Sequence, residues 1–157
     1  LDADALNAVA KNPQIIEGAV SGLVFTPHLK EFSRLTGLSV EDIKLNPVGS
    51  AVNYAKKTGV ILLLKGATTT VTDGENAYLV SAGTPGMAKC GSGDVLSGIL
   101  AGLYAFSKSP LLLTAACGAY INGKAGELAA AGKNEYSMLA SDTAGRIAEA
   151  VSGIICG

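Results

Sequence analysis

Hydrophobic and polar positions change their spacing along this chain, and the changes mark its elements. Val60-Ile61-Leu62-Leu63-Leu64 is apolar without a break, the pattern of a strand covered on both faces of a parallel sheet. Gly22-Leu23-Val24-Phe25 is a shorter run of the same kind, ended by Thr26-Pro27-His28. Leu1-Asp2 reads as the end of a strand, and Asp4 to Lys11 as a short helix stopped by Asn12-Pro13. Glu31 to Leu35 supplies a helical turn or two, with Gly37 past its end. Ser39-Val40-Glu41-Asp42 resembles a capping box with Asp in the acidic position. Asn46-Pro47 pairs an N-cap residue with proline at the first helical position, opening a helix that runs to Lys57 and closes at Gly59. Thr69 to Thr72 and Ala77 to Ser81 flank Asp73-Gly74, which predicts a β-hairpin. A Gly/Pro-bearing loop over 83–93 precedes helices predicted at 95–106, 110–131 and 141–155.

Strands alternate with helices early and helices accumulate late, so the fold class is α/β. There is no internal repeat, linker or low-complexity tract, and 157 residues suffice for one domain with a sizeable core. Residues 1–157 are therefore read as one domain, or part of one.

Composition narrows the functional classes. With 48% hydrophobic and 16% charged residues the chain is compact rather than disordered. A net charge of −1 and no basic cluster beyond Lys56-Lys57 argue against a nucleic-acid surface. The longest apolar stretch, near Leu111, is interrupted by Asn122 and Lys124 before it could span a bilayer, and no signal peptide is visible. Cys90, Cys117 and Cys156 follow no CxxC spacing and read as free thiols in a reducing cytoplasm. A single histidine argues against zinc. The opening LDADALNAV carries no initiator Met and reads as a sequence joined in its middle.

Four places could carry chemistry. Gly91-Ser92-Gly93-Asp94 precedes a predicted helix, and its small residues leave backbone amides uncovered. Amides and the positive end of the helix dipole would converge there on a phosphate or a developing negative charge. Asp94 could accept a proton from a substrate hydroxyl, or simply cap the helix while the glycines make a tight turn. Behind it Ser97, Gly98, Ala101, Gly102 and Ala105 share one narrow face, which predicts close packing against a neighbour. Lys65-Gly66-Ala67-Thr68-Thr69 follows the apolar strand at its C-terminal end, the edge where open α/β sheets bind ligands. Lys65 could pair with phosphate there or snorkel at a strand end. His28 stands at another strand end, as a functional group or as a turn or cap residue. Asp2 and Asp4 could bind magnesium through water, although Asp4 as an N-cap is the simpler account.

In order along the chain, DADALN (2–7), TPH with Glu31, LLKGATT (63–69), the Asp-Gly hairpin, GTPGMAKCGSGDVLSGILAGL (83–103) and LASDTAGRI (139–147) resemble one family. It is the ADP/ATP-dependent NAD(P)H-hydrate dehydratase family of the ribokinase-like superfamily. The resemblance implies a central, mostly parallel sheet flanked by helices, with a β-hairpin. It implies cofactor repair: ADP or ATP, with Mg2+, phosphorylates the hydroxyl of hydrated NADH or NADPH before phosphate is eliminated. By matching position, His28 and Asp94 would touch the hydrated nicotinamide nucleotide, with Asp94 the base. Lys65, Gly66, Ala67, Thr68, Thr69 and Gly93 would bind the nucleotide, and Gly91, Ser92 and Gly93 would form the anion hole; no protein-held metal site is expected.

Cys90 departs from the family, which commonly has Gly at this position. The match also covers only the later half or so of the family's domain. The missing N-terminal half is expected on a separate or clipped chain, and the family's habit implies a homo-oligomer. Two alternatives stand beside this reading: a small-molecule kinase of the same superfamily acting on a vitamin precursor, and a non-catalytic nucleotide-binding fragment.

Overall fold

The computed structural model describes residues 1–17 and 22–156. By contacts the chain divides into two compact units, Leu1–Leu79 and Val80–Gly157.

The first unit is α/β. Its elements are α1 (Ala3–Lys11), β1 (Val24–Phe25), α2 (Leu29–Thr36), α3 (Val40–Leu45), α4 (Pro47–Thr58), β2 (Ile61–Leu64), β3 (Thr69–Thr72) and β4 (Ala77–Val80). Local chemistry sets most of the helix ends. Gly37 and Gly59 close α2 and α4 in the left-handed conformation, with φ of 76° and 71°. Ser39 Oγ accepts the Asp42 N–H at 3.0 Å, and Asn46 Oδ1 accepts the Gly49 N–H at 3.0 Å. Helix α1 begins at Ala3, so Asp2 rather than Asp4 holds the N-cap position, and it makes no side-chain cap bond.

The sheet order is β1-β2-β3-β4. β1 and β2 are parallel, with Phe25 opposite Leu62; β2 and β3 are antiparallel, with Leu63 opposite Val71. β3 and β4 are neighbours joined through Asp73–Asn76, where Asp73 Oδ1 accepts the N–H groups of Glu75 and Asn76. Leu62, Leu63 and Leu64 are all buried, as the unbroken apolar run requires. Around Leu62 and Leu64, the residues Leu6, Val9, Phe25, Phe32, Ile43, Ala51, Ala55 and Val60 complete one core cluster. Leu1 behaves as a strand end: its nitrogen donates to Val24 O at 2.6 Å and its carbonyl accepts the Thr26 N–H at 3.0 Å. That is the bond pair of a parallel neighbour straddling Phe25.

The second unit is helical: α5 (Ser92–Phe106), α6 (Leu111–Lys133), α7 (Ala140–Gly145) and α8 (Ile147–Cys156). Helix α6 packs against the other three and buries small residues, among them Ala115, Ala119, Gly123 and Ala129. The single helix expected over 141–155 is two. The Arg146 N–H bonds to the Thr143 carbonyl, three residues back, and this tighter turn separates α7 from α8.

The small-residue face of α5 is a second correction. Leu96 and Ile99 are its buried positions, whereas Gly98, Ala101, Gly102 and Ala105 are exposed. Among the described residues, a Cβ added at Gly98 or Gly102 would meet nothing within 4 Å. Close approach occurs instead on α6, where a Cβ at Gly118 would stand 2.6 Å from Leu100 Cδ2. The bulky side of α5 is what packs, and the glycine that receives it lies on the partner helix.

Candidate functional site

The first cluster sits at the C-terminal end of the parallel strand pair. Beyond Phe25 the ladder continues: Lys65 N–H donates to the Pro27 carbonyl at 2.9 Å, and His28 and Lys65 form an isolated parallel bridge. His28 and Lys65, 37 residues apart in sequence, are thus brought side by side on the edge where α/β sheets take ligands.

His28 is both a cap and an exposed side chain. Its Nδ1 accepts the N–H groups of Lys30 and Glu31 at 3.1 Å each, while its own N–H donates to Glu31 Oε2 at 2.8 Å. An accepting Nδ1 carries no proton, so the ring proton of the neutral form lies on Nε2. The ring remains 51% exposed, against 8% for Glu31. Capping therefore fixes the imidazole without burying it.

Lys65 is not a free cation. Its ammonium lies 2.9 Å from Asp2 Oδ1, with both side chains mostly buried. Burial alone would raise the Asp2 carboxyl, but the hydrogen bond and charge of Lys65, with the Ala3 N–H, hold it below the usual carboxylate range. Gly66, Ala67 and Thr68 are exposed, and their N–H groups make no hydrogen bond among the described residues. What this segment offers a ligand is uncovered backbone. Asp2 is engaged by Lys65, and no group of three or more His, Cys, Asp or Glu gathers among the described residues.

The second cluster lies in the second unit. Helix α5 begins at Ser92, not after Asp94, so Ser92, Gly93 and Asp94 are its first three residues. Lys89 to Ser92 form a turn closed by the Ser92 N–H to the Lys89 carbonyl at 3.3 Å. Gly91 has φ 86° and ψ −14°, the third position of a type II turn, where a side chain is strained. Cys90 precedes it at a position open to any residue, and is exposed. The turn narrows the expected anion hole: the Ser92 N–H is occupied by Lys89, and Gly93 and Asp94 are left with unpaired N–H groups among the described residues. The Asp94 carboxylate is exposed and accepts no hydrogen bond among them, so it does not cap the helix. A carboxylate with no hydrogen-bond partner beside two free amides at a helix start can take up a proton next to a bound anion.

Residues that pattern reasoning passed over hold the preceding loop. Gly83 N–H donates to Glu127 Oε1 at 2.9 Å, and Lys124 holds the other carboxylate oxygen at 2.5 Å. The hydrogen bond from Lys124, then that from Gly83, lowers the Glu127 pKa. A Cβ at Gly123 would stand 2.4 Å from the Ala82 carbonyl oxygen, and one at Gly126 would overlap the Met87 side chain. In sequence, Lys124 and Glu127 read as an ordinary i,i+3 pair on a solvated face, and nothing local connects them to Gly83.

The family model described as NAD(P)H-hydrate dehydratase matches residues 1–149. The chain is 43% identical over 144 residues to the bifunctional NAD(P)H-hydrate repair enzyme Nnr of Moorella thermoacetica, covering 90% of this chain and 27% of that protein. The ADP/ATP-dependent NAD(P)H-hydrate dehydratase of Bacillus subtilis, co-crystallised with ATP/Mg2+, superposes with a TM-score of 0.77 at 25% identity. That match covers 83% of this chain and 47% of the other. A ribokinase-like superfamily protein of Enterococcus faecalis superposes with a TM-score of 0.74 at 27% identity, over 93% of this chain and 49% of that one. The chain thus spans about a quarter of the bifunctional relative and about half of the two solved structures. With the fold, the ordered motifs and the family match in agreement, this chain belongs to the NAD(P)H-hydrate dehydratase family and has a ribokinase-like α/β fold.

Proposed function

We propose that the polypeptide carrying this chain restores NADH or NADPH from the hydrated cofactor at the expense of ADP or ATP. The observation that carries this reading is the start of α5, where free amides at Gly93 and Asp94 adjoin an unpaired Asp94 carboxylate. Asp94 takes the proton of the hydroxyl added by hydration as that oxygen attacks the terminal phosphorus of the nucleotide. The bond to the leaving phosphate breaks, giving AMP from ADP or ADP from ATP. The phosphorylated intermediate then loses inorganic phosphate through C–O cleavage. The neighbouring ring carbon gives up a proton, and the double bond of the reduced nicotinamide is restored. The amides of Gly93 and Asp94 stabilise charge on the transferring group. His28, through its fixed ring, contacts the substrate; Lys65, Gly66, Ala67, Thr68 and Thr69 line the nucleotide largely through backbone. Magnesium belongs to the nucleotide in this reading and is held by its phosphates.

The same reading completes the catalytic domain with an N-terminal half, carried before this chain or as a separate or clipped polypeptide. It puts the enzyme in the cytoplasm as a homo-oligomer, in keeping with free Cys90, Cys117 and Cys156. Among the described residues no helix is long and apolar enough to cross a membrane.

The test is turnover by the complete polypeptide, followed as absorbance of the reduced nicotinamide on mixing hydrated NADH with ADP or ATP. Asp94→Asn is expected to lower kcat by about 100-fold to 10,000-fold while nucleotide affinity is largely kept. An Asp94→Asn enzyme as fast as the parent would remove Asp94 from the mechanism. Accumulation of a stable phosphorylated product, with no reduced nicotinamide, would favour the small-molecule kinase instead.

A further inference from the structure

Lys89 takes no part in the chemistry above, yet it holds the turn that opens α5 from two sides. Its ammonium donates to the carbonyls of Met138 and, at 3.4 Å, Glu135, in the segment between α6 and α7. Its own carbonyl accepts the Ser92 N–H, closing the turn in which Gly91 takes its left-handed φ. The segment that receives the ammonium is itself fixed. Met138 is 1% exposed, and a Cβ at Gly86 would stand 2.7 Å from Met138 Sδ and 2.9 Å from Glu135 Cα. Asn134 Oδ1 accepts the N–H groups of Tyr136 and Ser137, shaping the same segment. Lys89 makes no ion pair with a carboxylate among the described residues. Its charge is met by oriented peptide carbonyls, an arrangement that uses its donors to fix backbone to backbone.

We infer that Lys89 is a positioning residue for the proposed reaction: its grip on the Glu135 and Met138 carbonyls aims the Gly93 and Asp94 amides and the Asp94 carboxylate. The inference rests on the reading of the α5 start as the reacting group. Gly91 lets the chain make the turn, but a turn alone does not fix where the turn stands. Displacing a reacting group by about 1 Å costs about 100-fold in rate. Lys89 lies two residues from Gly91 and supplies the side-chain tie nearest to it.

Steady-state kinetics on the complete polypeptide, with hydrated NADH and ADP or ATP, test this with Lys89→Met, Lys89→Arg and Asp94→Asn beside the parent. Lys89→Met is expected to lower kcat by about 10-fold to 100-fold, with little change in nucleotide KM or thermal midpoint. Lys89→Arg is expected to recover most of that kcat, since a guanidinium also donates to carbonyls. An unchanged kcat in Lys89→Met beside an inactive Asp94→Asn would overturn the inference and leave the proposed function standing. So would a folded Lys89→Arg no better than a folded, impaired Lys89→Met. If Lys89→Met does not fold, Lys89→Arg decides alone: near-parental kcat supports the role and a folded, inactive protein overturns it. A fully active Asp94→Asn would overturn the reading of Asp94, and this inference with it.

Discussion

Single residues in this chain serve structure and site together. His28 caps α2 through Nδ1 and stays half exposed beside Lys65, so the cap residue and the functional candidate are the same side chain. Lys65 carries a charge that could have met phosphate directly, but Asp2 already compensates it. That pair ties the segment before α1 to the end of β2, and it makes the stability of the first unit depend on pH. The folded Asp2 carboxyl titrates below its usual value, about 3.9, so the unfolded chain binds its proton first as pH falls. The contribution is complete above the unfolded value and disappears as pH falls through the lower folded one. Asp2→Asn should therefore lower stability at neutral pH by about 1–2 kcal/mol, and the difference should close in acid. Urea midpoints at pH 7 and at successively lower pH check this; a gap that persists unchanged into strong acid would show that the carboxylate charge is not the cause.

Whole elements expose a different logic. Helix α5 carries Gly98 and Gly102 on a face with Ala101 and Ala105, and nothing among the described residues covers it. A helical glycine is less favourable than alanine by about 0.5–1 kcal/mol, and here no neighbour would object to the extra carbon. Gly98→Ala and Gly102→Ala should each raise the stability of this chain by roughly that amount. Thermal or chemical denaturation of the 157-residue chain reads the effect. Destabilisation by either substitution would mean that another surface presses on this face in solution. The α6 helix is the opposite case: its buried glycines at 118, 123 and 126 each receive a neighbouring atom where a Cβ would stand. Glycine is equally uncommon in both helices by propensity, so sequence pattern alone assigned the close approach to the wrong one.

At the scale of the whole molecule, the proposed activity and the extent of the chain have to be reconciled. Large apolar side chains stand in solvent, with Tyr136 99%, Phe106 92%, Leu45 85% and Ile155 75% exposed. If further polypeptide completes the catalytic domain, the chain alone should bind ADP or ATP weakly and turn over no hydrated NADH, while the complete protein does both. Calorimetric titration and the absorbance assay on the two preparations compare them directly. Efficient turnover by the chain alone would remove the need for a missing half. The sequence by itself determined the local features: the buried β2 run, the glycine helix ends at 37 and 59, the Asp73-Gly74 turn, and GSGD at a helix start. Each depends on backbone preference or on periodicity within a few residues, so a linear reading suffices. Tertiary structure alone decided that His28 and Lys65 are neighbours, that Asp2 neutralises Lys65, and that Lys89 and Glu127 hold the loop before α5. These depend on strand register and on side chains meeting across 37 to 63 residues of chain, and no local propensity encodes such meetings.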